Sequence, residues 1–144
     1  PDAHLQIVGE GEDYTVLENI IKEKKLNNRI ELIGKIDHDE LRFYYSSCDL
    51  YISASTFEVC PVPTLEAMAC GKPLVLSNIE PHQEMINISK AGKIFSKSNP
   101  EEILTVVSEV FQDQKSLGTL GRKFTVAHDW SIISKQMAEI FESV

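Results

Sequence analysis

The chain predicts an α/β fold with a parallel sheet, helices on its flanks and a helical C-terminus. Three observations predict it. Short apolar runs of strand length alternate with stretches of helical periodicity as far as about residue 96. Several of these runs are closed by glycine or bounded by proline. The segments between successive runs are long enough to carry a helix, which parallel pairing requires and a hairpin does not. Beyond residue 96 only helical patterns remain.

The elements follow in order. His4-Leu5-Gln6-Ile7-Val8 predicts a buried strand, and Gly9-Glu10-Gly11-Glu12 predicts the turn that closes it. Residues 13 to 26 carry Val16, Leu17, Ile20, Ile21 and Leu26 at helical spacing, an amphipathic helix. Arg29 to Ile33 is a second strand, stopped by Gly34. Asp37 suits the cap of the next helix, with Glu40 as the reaching partner of a capping box. Leu41, Tyr44 and Tyr45 give that helix an inner face, and neither these tyrosines nor Phe43 needs a ligand to explain it. Leu50 to Ser53 is strand three.

A short helix from about 62 to 70 follows, with Pro63 in its first turn and Gly71 just past its end. Leu74 to Ser77 is strand four. Pro81 opens a short helix through Met85, and Gly92 to Phe95 is a weaker last strand. Asn99-Pro100 starts a helix running to about Gln112. Lys115 to His128 and Ile132 to Phe141 are two more helices, with Trp130 between them expected in the core.

Composition narrows the function classes. The 144 residues make one domain with room for a core, and 42% hydrophobic against 25% charged residues is a globular balance. A formal charge of -8, without any Lys/Arg cluster, argues against a nucleic-acid partner. Lys22-Glu23-Lys24-Lys25 is a solvated helix face. Cys48, Cys60 and Cys70 form neither an even set nor a metal-ligand spacing, which points to reduced thiols in the cytoplasm and to no metal. No apolar run approaches the roughly 20 residues of a membrane span. The opening Pro1-Asp2-Ala3-His4, entering a strand at once, looks like a piece of a longer polypeptide.

Most functional information lies between strands three and four. Glu58 and Glu66 stand at the two ends of Glu58-Val59-Cys60-Pro61-Val62-Pro63-Thr64-Leu65-Glu66. Two carboxylates with a helix start between them could hold sugar and ribose hydroxyls while backbone N–H groups face a phosphate. Gly9-Glu10-Gly11 lacks the third glycine of a dinucleotide fingerprint and is only a turn. His82 is expected at the surface after strand four, and His38 and His128 on exposed helix faces.

Ser55-Thr56-Phe57-Glu58 followed by Pro63-Thr64-Leu65-Glu66-Ala67-Met68-Ala69-Cys70-Gly71-Lys72-Pro73 resembles the E-x7-E motif of family 4 (group 1) retaining glycosyltransferases. Leu5 to Gly11, Ile30 to Ile36, Cys48 to Ser53 and Ala91 to Phe95 fall in that family's order and spacing. The resemblance implies the GT-B architecture of two Rossmann-like domains, with residues 1–144 an incomplete C-terminal, donor-binding domain. It also implies site roles. Glu66 would hold the ribose hydroxyls of the nucleotide and Glu58 a hydroxyl of the donor sugar. The amides of Val59 and Cys60 would face sugar and diphosphate, and Gly34-Lys35-Ile36 would seat the base.

The family implies a nucleotide-diphosphate sugar as donor, no metal, and a saccharide or lipid-linked acceptor held by a domain absent from this chain. Work at the inner face of a membrane, through peripheral association of the missing half, is a further implication. Two departures stand out. Val59-Cys60-Pro61 replaces the common Gly-Phe-Gly, and Pro61 removes one N–H donor. The upstream strand and helix that carry the family's Arg and Lys for the diphosphate are missing too. In a sheet ordered 3-2-1-4-5-6 that strand would be the central one. Two other readings remain open on the sequence: a GT-B sugar-nucleotide epimerase, and a non-catalytic nucleotide-sugar binding module.

Overall fold

The computed structural model describes residues 3–96 and 99–143, so Pro1 and Asp2 of the fragment-like opening lie outside the described residues. The chain divides into two compact units, Pro1–Leu41 and Arg42–Val144.

In the first unit, β1 (Leu5–Val8) and β2 (Ile30–Gly34) pair in parallel and α1 (Tyr14–Glu23) connects them. Leu5 lies opposite Ile30, and an irregularity after Ile7 brings Val8 opposite Gly34. The strand expected from His4 begins at Leu5 and is not buried: Leu5 is 40% and Val8 38% exposed. Among the described residues β1 has one strand neighbour, so its far edge gains no cover from a ladder. The helix expected to reach Leu26 stops at Glu23. Lys25 turns left-handed at φ 55, and the Leu26 N–H returns to the Ile21 carbonyl at 2.9 Å, which closes the last turn.

The second unit holds β3 (Tyr51–Ser53), β4 (Leu74–Ser77) and β5 (Gly92–Phe95), all parallel in the order β3-β4-β5. Its helices are α2 (His38–Ser47), which enters from the first unit, then α3 (Val62–Ala69) and α4 (Glu80–Ser89). After β5 come α5 (Pro100–Gln112), α6 (Gln114–Ala127) and α7 (Trp130–Glu142). Every residue of β4 is buried. Successive side chains of a strand point to opposite faces, and the core divides accordingly. Leu74 and Leu76 join Ala67, Met68 and Ala91 on one face, with Tyr45, Tyr51, Met85, Ile86 and Phe124 packed around them. Val75 joins Phe95, Val106 and Val110 on the other. Thus α3, α4 and, through Phe124, α6 cover one side of the sheet, and α5 with Leu117 at the start of α6 covers the other, the doubly wound arrangement expected of a parallel sheet.

Gly71 makes the turn from α3 into β4. It adopts φ +71, its N–H bonds the Met68 carbonyl and the Lys72 N–H bonds the Ala67 carbonyl, each at 2.9 Å. Helix α6 then passes so close that a Cβ on Gly118 would stand 2.1 Å from the Gly71 oxygen. Arg122, one turn further along α6, donates to the Ala69 carbonyl.

Three further expectations need correction. Helix α4 runs to Ser89 rather than Met85, because Ile86 packs on the core and Ser89 is buried, and it ends where Lys90 turns left-handed. His82 is not at the surface but fully buried. Its Nδ1 lies 3.1 Å from the Ser77 carbonyl oxygen, which only accepts, so Nδ1 carries the proton. The Ser77 hydroxyl in turn donates to the Ser55 carbonyl at 2.6 Å. Finally, Trp130 is not core but 79% exposed. Asp129 caps α7 by accepting from the Ser131 N–H at 2.9 Å, and none of the side chains described in that helix is buried.

Substituting Gly118→Ala should cost about 1–3 kcal/mol or more, since the added methyl meets backbone. Gly11→Ala, where a Cβ meets nothing within 4 Å, is the control expected to change little. Urea unfolding of the two variants checks this. His82→Leu, which keeps the volume but removes the donor to Ser77, should lose about 1–3 kcal/mol in the same assay.

Candidate nucleotide-sugar site

The connection from β3 to α3 carries Glu58, and α3 itself carries Glu66. The connection leaves the carboxyl end of a parallel strand, the edge at which open α/β sheets bind ligands. Its start is tied down: the Ser55 N–H reaches the Ser53 hydroxyl at 3.4 Å, and the Ser55 carbonyl is held by Ser77. Glu58 is half-buried, whereas Val59 (82% exposed) and Cys60 project into solvent. Among the described residues, no hydrogen bond engages the main-chain N–H of Val59 or Cys60. All three cysteines are free thiols.

The start of α3 differs from the anion-binding terminus expected. The Val62 N–H is bonded to the Cys60 carbonyl at 2.8 Å, Pro63 has no N–H, and the Thr64 N–H is bonded to Pro61 at 3.0 Å. Pro61, at φ -77 and ψ 75, supplies no side-chain cap. The dipole of this eight-residue helix persists, but its first-turn donors are engaged. The first turn of α3 therefore leaves no main-chain donor of its own for an anion.

Glu66 lies one turn into α3, half-buried. The Tyr45 hydroxyl donates to its Oε2 at 3.0 Å. Tyr45 sits in the last turn of α2, and its ring is tilted 59° against Tyr51 with centroids 6.1 Å apart. Burial pushes the Tyr45 phenol well above its ordinary range, and the hydrogen bond to the Glu66 carboxylate pushes the same way. Burial also raises the Tyr51 phenol, and the negative charges of Glu58 and Glu66 add to that rise. Both carboxylates therefore act on one half-buried phenol.

Lys72, in the same stretch of sequence, is not available to a ligand. Its Nζ donates to the Ser46 carbonyl at 2.9 Å and the Cys48 carbonyl at 2.7 Å, closing the C-terminus of α2. Gly34, Lys35 and Ile36 belong to the first unit. There Gly34 turns at φ +77, its carbonyl accepts from the Gly9 N–H at 2.8 Å, and Lys35 pairs with Glu10 at 3.4 Å in the open. Among the described residues no group of three His, Cys, Asp or Glu side chains is placed to hold a metal ion, and no helix is long and apolar enough to cross a membrane.

The sequence reading missed Tyr45 and Tyr51 as parts of this site. Helical spacing explained Tyr45 as an apolar contact, and so its ring is. A tyrosine on an inner face nevertheless brings a hydroxyl that seeks a partner when buried, and that was the signal available.

Residues 1–124 match the profile of the family described as glycosyl transferases group 1. The alpha-monoglucosyldiacylglycerol synthase of Acholeplasma laidlawii is 28% identical over 127 residues, which make up 88% of this chain and 31% of that protein. A glycogen synthase of Mycobacterium tuberculosis is 25% identical over 145 residues, 98% of this chain and 35% of the relative. The chain thus spans well under half the length of either. Among solved structures, the sucrose-phosphate synthase of Thermosynechococcus elongatus gives a TM-score of 0.82 at 24% identity, covering 97% of this chain and 38% of the other. The Anabaena HepE protein, solved in complex with UDP, gives 0.81 at 22% identity, covering 100% of this chain and 42% of that one. Parallel sheets with flanking helices are what this chain shares with such GT-B structures, and with the family profile reaching from residue 1 to 124 the chain belongs to the group 1 glycosyl transferases.

Proposed function

We propose that residues 1–144 form the donor-binding part of a retaining family 4 glycosyltransferase, which moves a sugar from a nucleotide-diphosphate sugar to a hydroxyl acceptor. The observation that supports this most is the placement of two half-buried carboxylates, Glu58 and Glu66, after the carboxyl end of β3, with Glu66 accepting from the Tyr45 hydroxyl at 3.0 Å. A carboxylate accepts two hydroxyl donors at once, and such charge-assisted bonds are strong. Glu66 takes the ribose hydroxyls. Glu58 touches the donor sugar and is the catalytic residue of this chain in the sense of positioning the reacting group. The N–H groups of Val59 and Cys60 face the sugar and diphosphate, and Gly34-Lys35-Ile36 seats the base.

In this reading the two glutamates orient the donor and are not an acid/base pair. Rate comes from stabilising the departing diphosphate by preorganised donors, without a metal. Those donors are the loop amides of Val59 and Cys60, together with basic side chains that the family resemblance places outside this chain. HepE, solved with UDP, supports a nucleoside-diphosphate donor. The relatives named for a glucosyldiacylglycerol and for glycogen support a lipid-linked or saccharide acceptor, held by a further domain. Glycoconjugate or polysaccharide synthesis in the cytoplasm, with peripheral membrane association where the acceptor is a lipid, follows from the same reading.

The test is saturation-transfer NMR of the natural gene product containing this chain, with chelator present, against UDP-, GDP-, ADP- and CMP-sugars. One nucleotide should receive saturation on its ribose protons, and Glu66→Ala should abolish it. Glu58→Ala should retain the nucleotide while losing transfer to the sugar ring. No transfer from any donor would overturn the proposal.

A further inference from the structure

We propose that Tyr45 is a positioning residue for nucleotide recognition, its hydroxyl setting the plane of the Glu66 carboxylate that receives the ribose. The inference rests on the assignment of Glu66 to the ribose and adds a residue that acts through it.

The argument is geometric. A glutamate has three rotatable bonds before its carboxylate, and recognising a vicinal diol with both oxygens demands that the carboxylate plane be held still. Two things hold it. Glu66 leaves α3 in its second turn, on a helix whose next two residues, Ala67 and Met68, are fully buried. Its Oε2 is then gripped by the Tyr45 hydroxyl at 3.0 Å. A phenol against a carboxylate has to be the donor, so the direction of this bond is unambiguous. An ionised carboxylate offers about four acceptor positions, and the Tyr45 hydroxyl takes one of them.

Tyr45 is itself fixed at both ends. Its ring packs on the cluster built from Ala67, Met68, Leu74, Leu76 and Ala91, and lies tilted against Tyr51. Its backbone belongs to the last turn of α2, which Lys72 closes through the Ser46 and Cys48 carbonyls. A group that merely filled space here would need no hydroxyl, and phenylalanine would bury the same ring. The elevated ionisation range of the Tyr45 phenol agrees with a hydroxyl that remains a donor at every physiological pH.

The test compares the best-binding nucleoside diphosphate with its 2′-deoxy and 3′-deoxy counterparts by titration calorimetry. The proteins are wild type, Tyr45→Phe, Glu66→Ala and the double variant, each in the natural gene product. Tyr45→Phe should weaken the ribonucleotide roughly tenfold, the scale of one hydrogen bond to a charged group. It should weaken at least one deoxynucleotide less, and should have no further effect once Glu66 is alanine. Wild-type affinity for the ribonucleotide in Tyr45→Phe, alongside a defective Glu66→Ala, would overturn the role of Tyr45 alone. So would an equal loss for all three nucleotides in both backgrounds, which marks a structural effect. Wild-type binding by Glu66→Ala would instead overturn the ribose assignment, and the inference with it. Ring-fluorinated tyrosine at position 45 keeps the shape and strengthens the donor. It should change ribonucleotide affinity, and unchanged affinity counts against the proposal even if Tyr45→Phe does not fold.

Discussion

The burial of β4 is the constraint on which the second unit depends. Four residues, Leu74 to Ser77, lose all contact with solvent, and they do so on both faces and both edges of the strand. The edges are filled by β3 and β5 in parallel. The faces are filled by helices whose spacing follows the strand's own alternation, Leu74 and Leu76 to one side and Val75 to the other. Each buried aliphatic side chain contributes about 1.5–3 kcal/mol relative to exposure. Residues at the closest approaches are accordingly small: Gly92 of β5 lies against Leu74, and Gly118 of α6 against the turn at Gly71.

From that strand the polar groups of the site acquire fixed positions. Ser77 at its end is buried with its hydroxyl committed to the Ser55 carbonyl, and His82 returns to the Ser77 carbonyl from α4. The loop that carries Glu58 therefore departs from an anchored point. On the other side, Lys72 at the approach to β4 closes α2, and α2 in turn presents Tyr45 to Glu66. Buried or half-buried polar groups are costly unless paired. Here most of the pairs run between elements rather than within them, so the core and the candidate site are held by the same bonds.

Legibility in the sequence varied with the range of the interaction that decides each element. β4, β5 and α5 were readable to the residue, or nearly so, because their signals are local: an apolar run bounded by Pro73, a Gly92 start, and an Asn99 cap that accepts from the Glu101 N–H at 3.2 Å. The end of α4 was not readable. Asn87-Ile88-Ser89 is a weak helical sequence, and packing of Ile86 and Ser89 overrides propensity. His82 and Trp130 were misplaced in opposite directions for a related reason. A histidine early in a helix and a tryptophan at a helix start are compatible with either side of the surface, and the choice is made by what faces them.

Neighbouring residues alone set the alternation of strands and helices, the parallel pairing that follows from it, and the loop holding Glu58, Val59 and Cys60 with the helix holding Glu66. All of these rest on periodicity, on caps and on spacing, which are properties of neighbouring residues. Tertiary structure decided which donors are spent and which acceptors are gripped. The first turn of α3 uses its N–H groups on Cys60 and Pro61, Lys72 is consumed at the end of α2, and Tyr45 is turned onto Glu66 across 21 positions of sequence. Hydrogen bonding between groups so far apart depends on distance and direction in space, and no local pattern in a chain encodes either.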